Sequence, residues 1–330
     1  MKANPKVSII IPNYNHAQFL EERIESVLNQ TYQDFEIILL DDSSTDNSLE
    51  ILSRYESHPK VSHFEVNQQN SGSVFKQWVK GIKLAKGEYI WIAESDDVAH
   101  LHFLEKMIFF AEPKEDVGLV FCKSKVIDKY GNETGSTLLP PKYKADLTIN
   151  GEEEVSSYII KKLSILNASS VLFKSKALRA VDYSKLSEFT NVGDMFTYSI
   201  IGLANTNYFL DEFLNFHRLH GKNTTTINSI NNKIIKDRID LIQFLIPKFE
   251  TEIGRKNILN FYFRQILKSL DDSMFKINIK TLDLLLEFNY FNFRTYFKIK
   301  LLVLFYTLGR GTIPYFVRET YKRMFNKLLV

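Results

Sequence analysis

Tyr89-Ile90-Trp91-Ile92-Ala93-Glu94-Ser95-Asp96-Asp97 is the stretch on which the reading of this chain turns. A run of apolar, β-favouring residues ends abruptly in three carboxylates. It reads as a buried central strand that delivers acid into a crevice at its C-terminal end. Acids packed this closely repel one another, and a bound divalent cation makes such a cluster tolerable. A hard cation there would in turn hold a diphosphate. The plain alternative is a solvated acidic turn that caps the next helix.

Upstream of this strand the chain alternates. Val7-Ser8-Ile9-Ile10-Ile11 is a strand closed by Pro12, followed by the turn Asn13-Tyr14-Asn15-His16. Phe19, Leu20, Ile24, Val27 and Leu28 then recur at helical spacing. Phe35–Leu40 is a second strand, Asp41–Asp46 a turn and helix start, and Val61–Val66 a third strand. A helix carries Val74, Trp78, Ile82 and Ala85 as far as Gly87. This βαβαβαβ order predicts a Rossmann-like α/β fold with a mostly parallel central sheet and helices on both faces. Ligands of such sheets bind beyond the carboxyl ends of the strands. The polar groups fall there: Pro12–Asn15, Asp41-Asp42 and Glu94–Asp97. Pro12–His16 contains no glycine, which excludes a dinucleotide fingerprint and a P-loop after the first strand.

Downstream, Phe103–Phe110 predicts a helix, Val117–Ile127 a strand, Thr134–Asn150 a loop and Glu152–Leu163 a helix. Ser169–Phe173 reads as a short strand, a helix starts at Asn191–Asp194, and Tyr208–His217 is extended. From about Asn228 the texture is helical.

With 330 residues the chain has room for about two domains. We place them at residues 1–226, an α/β domain, and 227–330, a helical C-terminal region. Net charge is only +3, too balanced for nucleic acid as the main partner. The lone Cys122 excludes an internal disulfide framework and a cysteine-based zinc site. The apolar run near the N-terminus is too short for a signal peptide, and none reaches the ~18 residues of a membrane span. The expected compartment is the cytoplasm. Phe291–Val330 holds eight Lys/Arg against one acid, Glu319. Val317, Tyr321, Met324, Phe325 and Leu328 share a helical face there. This tail is expected either to dock on the inner face of the plasma membrane or to pack on protein, including a second copy of the chain.

Several of these segments together resemble a known family. Val7–Asn15, Ser26–Tyr32, Asp41–Asp46 and Gly87–Ile90 ahead of the acids are similar to the family-two glycosyltransferases, inverting enzymes of the GT-A fold. The resemblance covers roughly Lys6 to Thr226. It implies sugar transfer from a nucleotide-diphosphate donor, a UDP-sugar by preference, with Mn2+ or Mg2+ as cofactor. The acceptor would be a saccharide or lipid-linked saccharide in surface-polysaccharide synthesis. Pro12 and Tyr14 would line the nucleobase pocket, and Asp42 would accept a hydrogen bond from the base. Asp96 and Asp97 would supply the metal ligand and the ribose contact, leaving open which does which. Asp194 would be the general base, although Gly193 stands where many relatives have Glu. Arg218 and His220, with Asn223 and Thr224, match a loop over the diphosphate, Arg218 as phosphate fork and His220 as metal ligand or donor. Helix capping remains the structural alternative for Asp42 and Asp194. The rival functions are a nucleotidyltransferase, which would need a glycine-rich basic loop, and an inactive member serving as a binding subunit.

Overall fold

Four strands built from the first ninety-odd residues set the architecture: β1 (Val7–Asn13), β2 (Phe35–Asp41), β3 (Val61–Val66) and β4 (Tyr89–Ile92). They are parallel and lie in the order β3-β2-β1-β4. Every residue of β1, β2 and β4 is buried, and apart from Ser8 and Glu36 the body of each strand is apolar. β3 is an edge strand, and none of its residues is fully buried. Side chains of β1 point to two helical layers in turn. Val7, Ile9 and Ile11 pack with α1 (Ala17–Leu28), Leu52 of α2 (Ser48–Ser53) and α4 (Phe103–Ala111). Ile10 meets Gly81 of α3 (Val74–Leu84), where an added Cβ would lie 2.5 Å from the Ile10 side chain. Pro12 is tolerated because β4 pairs with β1 only as far as Ile10. The computed structural model describes residues 4–140, 142–149, 151–221 and 233–269.

Gly87 pins β4 to β1. A Cβ there would sit 2.5 Å from the backbone nitrogen of Ser8, so only glycine allows the approach. The Ser8 hydroxyl accepts from Gly87 N–H at 2.8 Å and donates to Glu36 at 2.6 Å.

Beyond β4 the sheet becomes mixed. β5 (Val98–Ala99), β6 (Val117–Ile127), β7 (Glu133–Ser136), β8 (Leu147–Ile149), β9 (Val171–Lys174) and β10 (Thr206–Arg218) complete it. β9 runs antiparallel between β4 and β6, and β6 is parallel to β10. Hence β6 and β10 point the same way as β1, β2 and β4. Their C-terminal ends, Ile127 and Arg218, share an edge with Asn13, Asp41 and Ile92.

Two segments differ from the sequence reading. Thr134 to 150 is not all loop, since β7 and β8 lie within it; β7 is short and polar, and β8 is only three residues, too short for a periodicity to register. The helix expected over 152–163 is only a turn of α-helix, α5 (Gly151–Glu154), followed by π-helical Val155–Ile159. It is broken by Lys162, whose φ of 56° is left-handed. Three further helices follow: α6 (Ser175–Arg179), α7 (Tyr183–Glu188) and α8 (Gly193–Ala204).

The chain divides into two compact units, Met1–Asn231 and Asn232–Val330. In the second, helices Lys233–Leu245 and Glu252–Ser269 bury Ile239, Ile242, Leu245 and Ile258. The expected boundary near residue 226, Asn223, Thr224 and the basic tail lie outside the described residues. Among the described residues, no helix is long and apolar enough to cross a membrane.

Candidate active site

The turns after β1 and β2 are built as one piece. Asn15 adopts φ 56°, a left-handed conformation that asparagine tolerates. Its Oδ1 accepts from Thr45 N–H at 2.7 Å, and its own N–H donates to Ser44 Oγ at 2.9 Å. Asn13 Nδ2 donates to Asp41 at 2.7 Å. Ala17 N–H, at the start of α1, donates to Asp46 at 3.0 Å. Pro12 is buried beneath this double turn, Tyr14 stands 44% exposed upon it, and His16 is held just ahead of α1.

Asp42 lies at the neighbouring strand end but is only 4% exposed. Its Oδ1 accepts from Asn67 Nδ2 (2.6 Å), Gln77 Nε2 (2.8 Å) and Ser71 N–H (2.9 Å). Its Oδ2 accepts from Ser71 Oγ (2.7 Å) and Asn70 Nδ2 (3.3 Å). A carboxylate has about four lone-pair sites. Asp42 is therefore engaged in ordering the 67–73 turn, and a nucleobase imide would have to displace one of these donors.

At the end of β4 the three acids have separate fates. Glu94 is pushed up to about 8 by burial and then by the charge of Asp96, against the Trp78 indole N–H that donates to it at 2.9 Å. Beneath it Arg23 of α1 is wholly buried, donating from Nε to the Glu94 carbonyl at 2.8 Å and lying 5.2 Å over the Trp91 ring. Burial brings that guanidinium down to about 10, opposed by the pull of Asp97, Asp96 and Glu94.

Asp97 is buried among donors. Asn167 Nδ2 donates to it at 2.8 Å, Arg218 N–H at 2.9 Å, and His217 Nδ1 lies 3.3 Å away. Burial opposes its ionisation, but His217, Arg23 and the hydrogen bonds outweigh that and hold the carboxyl well below the usual range. Asp97 thus anchors β10 to the acid turn and stands outside the group of residues placed to hold a metal. Among the described residues that group is His16, Asp96 and His220, whose ligand-capable atoms all lie within 4.8 Å of one another. His220 Nε2 and Asp96 Oδ2 are 3.1 Å apart. Burial lowers the pKa of His16, which favours the neutral imidazole that a metal requires.

Arg218 is held by internal contacts. It is 1% exposed and lies 4.8 Å over the Phe19 ring. Its guanidinium donates to the Asp96 carbonyl (2.8 Å), the Asp128 carbonyl (3.1 Å) and Glu22 (2.5 Å). The side chain braces the acid turn, α1 and the 128–132 turn.

Asp194 heads α8. Its Oδ1 accepts from Met195 N–H at 2.8 Å, and its Oδ2 lies 3.7 Å from Lys162 Nζ. Gly193 has a steric cause: a Cβ would fall 2.5 Å from the Phe75 ring. Phe75 packs edge-on against Trp78 at 5.2 Å, and Trp78 holds Glu94. The helix carrying Asp194 is thereby keyed to the acid turn through α3. Tyr198, one turn further along α8, is fully buried, and its phenol is raised well above the usual value by burial, then by Asp194 and Glu94. We expect Gly193→Ala to cost about 1–3 kcal/mol through overpacking against Phe75. Thermal unfolding measures this, and an unchanged midpoint would show that Phe75 yields freely.

His16, Arg23, Trp78, Lys162 and Tyr198 join the site without a sequence signal that marks them. Only the position of His16, directly after the Asn13-Tyr14-Asn15 turn, was a usable hint.

Comparison with known proteins adds three findings. The family model described as glycosyl transferase family 2 matches residues 8–173. The uncharacterized glycosyltransferase MJ1057 of Methanocaldococcus jannaschii is 33% identical over 183 residues, 55% of this chain and 60% of that protein. The poly(ribitol-phosphate) beta-N-acetylglucosaminyltransferase TarP of Staphylococcus aureus is 30% identical over 189 residues, 56% of this chain and 54% of that protein. The matches thus span little more than half the length of these curated relatives. Among solved structures, S. aureus TarS 1–349 in complex with UDP superposes with a TM-score of 0.60 at 18% identity, covering 81% of this chain and 72% of that one. At that identity the likeness speaks for the fold.

Proposed function

Because the chain belongs to glycosyl transferase family 2, we propose that it moves a glycosyl group from a nucleotide-diphosphate donor to a saccharide or lipid-linked saccharide hydroxyl, inverting the anomeric carbon. The observation that carries this reading is the meeting of two kinds of group at one sheet edge. Asp96 and His220 follow strands that end at that edge, and Asp194 heads a helix keyed to the same acid turn through Phe75, Trp78 and Glu94.

In this reading Asp194 takes the proton of the acceptor hydroxyl as the displacement proceeds. Met195 N–H fixes one of its oxygens, and Lys162 lies beside the other as a countercharge. The exposed ring of Tyr14 is offered to the nucleobase. Arg23 and Arg218 hold the acid turn rigid from beneath through the Glu94 and Asp96 carbonyls, so the carboxylate of Asp96 keeps its aim. The donor set of carboxylate and imidazole fits a divalent cation, with Asp96 and His220 to hold Mn2+ or Mg2+. Such an ion, when bound, supplies neutralising charge for the departing diphosphate.

UDP is the first nucleotide to test, since the TarS structure named above holds it. A surface polymer as acceptor is suggested by the printed activity of TarP on poly(ribitol phosphate). A panel of UDP-, GDP- and dTDP-sugars, incubated with Mn2+ or with EDTA and read for slow donor hydrolysis, tests the reading. We expect UDP release from at least one UDP-sugar, abolished by EDTA. Equal rates in EDTA would remove the metal from the mechanism. Binding of nucleotide without any hydrolysis or transfer would favour a non-catalytic binding subunit.

A further inference from the structure

We propose that His16 is a third protein ligand of the divalent ion, making the site one of two imidazoles and a carboxylate that takes first-row transition ions and discriminates against Mg2+. The inference rests on the metal-dependent reading given above.

The geometry comes first. The ligand-capable atoms of His16, Asp96 and His220 lie within 4.8 Å of one another. Ligands that are each about 2.1 Å from one ion are at most about 4.2 Å apart. The group is therefore at coordinating spacing or a small side-chain adjustment from it. The rings of His16 and His220 stand edge-on, 5.5 Å between centroids and 90° between planes.

His16 is also oriented as a ligand. Its Nδ1 lies 2.8 Å from Ser95 Oγ. Ser95 sits between Glu94 and Asp96, so this bond fastens the imidazole to the turn that carries the carboxylate ligand. With the Nδ1 proton donated to the hydroxyl, Nε2 keeps the lone pair that a metal needs, and metal-bound histidines ordinarily have the other nitrogen fixed in this manner. The backbone is equally constrained. The residue before His16 is locked by Thr45 and Ser44, and the residue after it by Asp46.

The donor chemistry then sets the preference. Mg2+ favours an all-oxygen octahedron and keeps its waters. Imidazole nitrogens favour transition ions, in the order Mn2+ < Co2+ < Ni2+. Two imidazoles against one carboxylate place this site on the transition-metal side, whereas Asp96 with a single histidine would discriminate less.

The experiment is Mn2+ binding to the full chain followed by the free-ion EPR signal, with Mg2+ and Co2+ as competitors. Wild type is compared with His16→Gln, Ser95→Ala, His220→Gln and Asp96→Asn, and with His63→Gln on β3 as control. We expect Co2+ to displace Mn2+ and Mg2+ to do so only in large excess. His16→Gln should weaken Mn2+ by about 10-fold or more, and Ser95→Ala by less, because the latter only frees the ring. Pulsed EPR of the bound Mn2+ should count two imidazole nitrogens in wild type and one in His16→Gln. Unaltered Mn2+ affinity in His16→Gln while Asp96→Asn loses it overturns the ligand role of His16 and leaves the metal reading standing. Wild-type protein that binds no Mn2+ defeats both. Equal loss of Mn2+ and Mg2+ affinity in His16→Gln overturns the selectivity. If His16→Gln fails to fold, the nitrogen count in wild type and the Ser95→Ala affinity still decide.

Discussion

Replacing Asp194 with asparagine is expected to lower sugar transfer by ~100-fold or more, the usual worth of a general base, while nucleotide binding stays close to wild type. The substitution is nearly isosteric. The residue lies on the α8 side of the site, where Met195 N–H and Lys162 hold its two oxygens. Its loss therefore removes a proton acceptor without touching the acid turn. The structural alternative makes a different forecast. An acid that only complements the start of a helix is worth about 0.3–1 kcal/mol, so Asp194→Asn would shift the melting temperature slightly and leave transfer intact. Steady-state transfer and UDP calorimetry on the same preparation separate the two, and full activity would move the base elsewhere.

The second large effect is expected from a pair of neighbours. Asp96→Asn should reduce metal-stimulated donor hydrolysis on the order of 100-fold or more, the scale of losing one preorganised electrostatic group, with little cost to folding. Asp97→Asn should act through folding as well. Asp97 accepts from Asn167 Nδ2 and Arg218 N–H while fully buried beside His217. An asparagine there must turn an NH2 toward one of these donors or toward His217. Breaking a buried charged pair costs about 3–5 kcal/mol. We expect Asp97→Asn to lower the unfolding midpoint and activity together, and Asp96→Asn to lower activity alone. If chemical denaturation shows the two variants equally stable and metal titration shows them equally impaired, the division of labour between these carboxylates is wrong.

Most of the framework is legible in the sequence. β1, β2 and β4 are buried on both faces, so they had to be written as largely apolar runs, and helical spacing between them announced the crossovers. Gly87 could be seen as a boundary, and the polar residues after each run marked the edge where ligands gather. These are local signals, because strand and helix periods are set by neighbouring residues. The mixed half of the sheet was less visible, since β7 and β8 are short edge strands that bury little.

The assignment of roles was a different matter. Asp96 and Asp97 are adjacent and chemically identical, and no spacing rule tells them apart. What separates them is that Asn167, His217 and Arg218 arrive at Asp97 from 70 or more residues away, while His16 and His220 arrive at Asp96. The motif offers Arg218 as a phosphate fork, whereas the fold brings Glu22 and two carbonyls to its guanidinium. Gly193 looked like a defect in a motif until the Phe75 ring was found in the space of its side chain. The sequence by itself determined the sheet, the edge and the kinds of group gathered there. Only the tertiary structure decided which of those groups face a ligand and which are used up inside, because a carboxylate or guanidinium is committed by whichever donors and acceptors the fold brings to it.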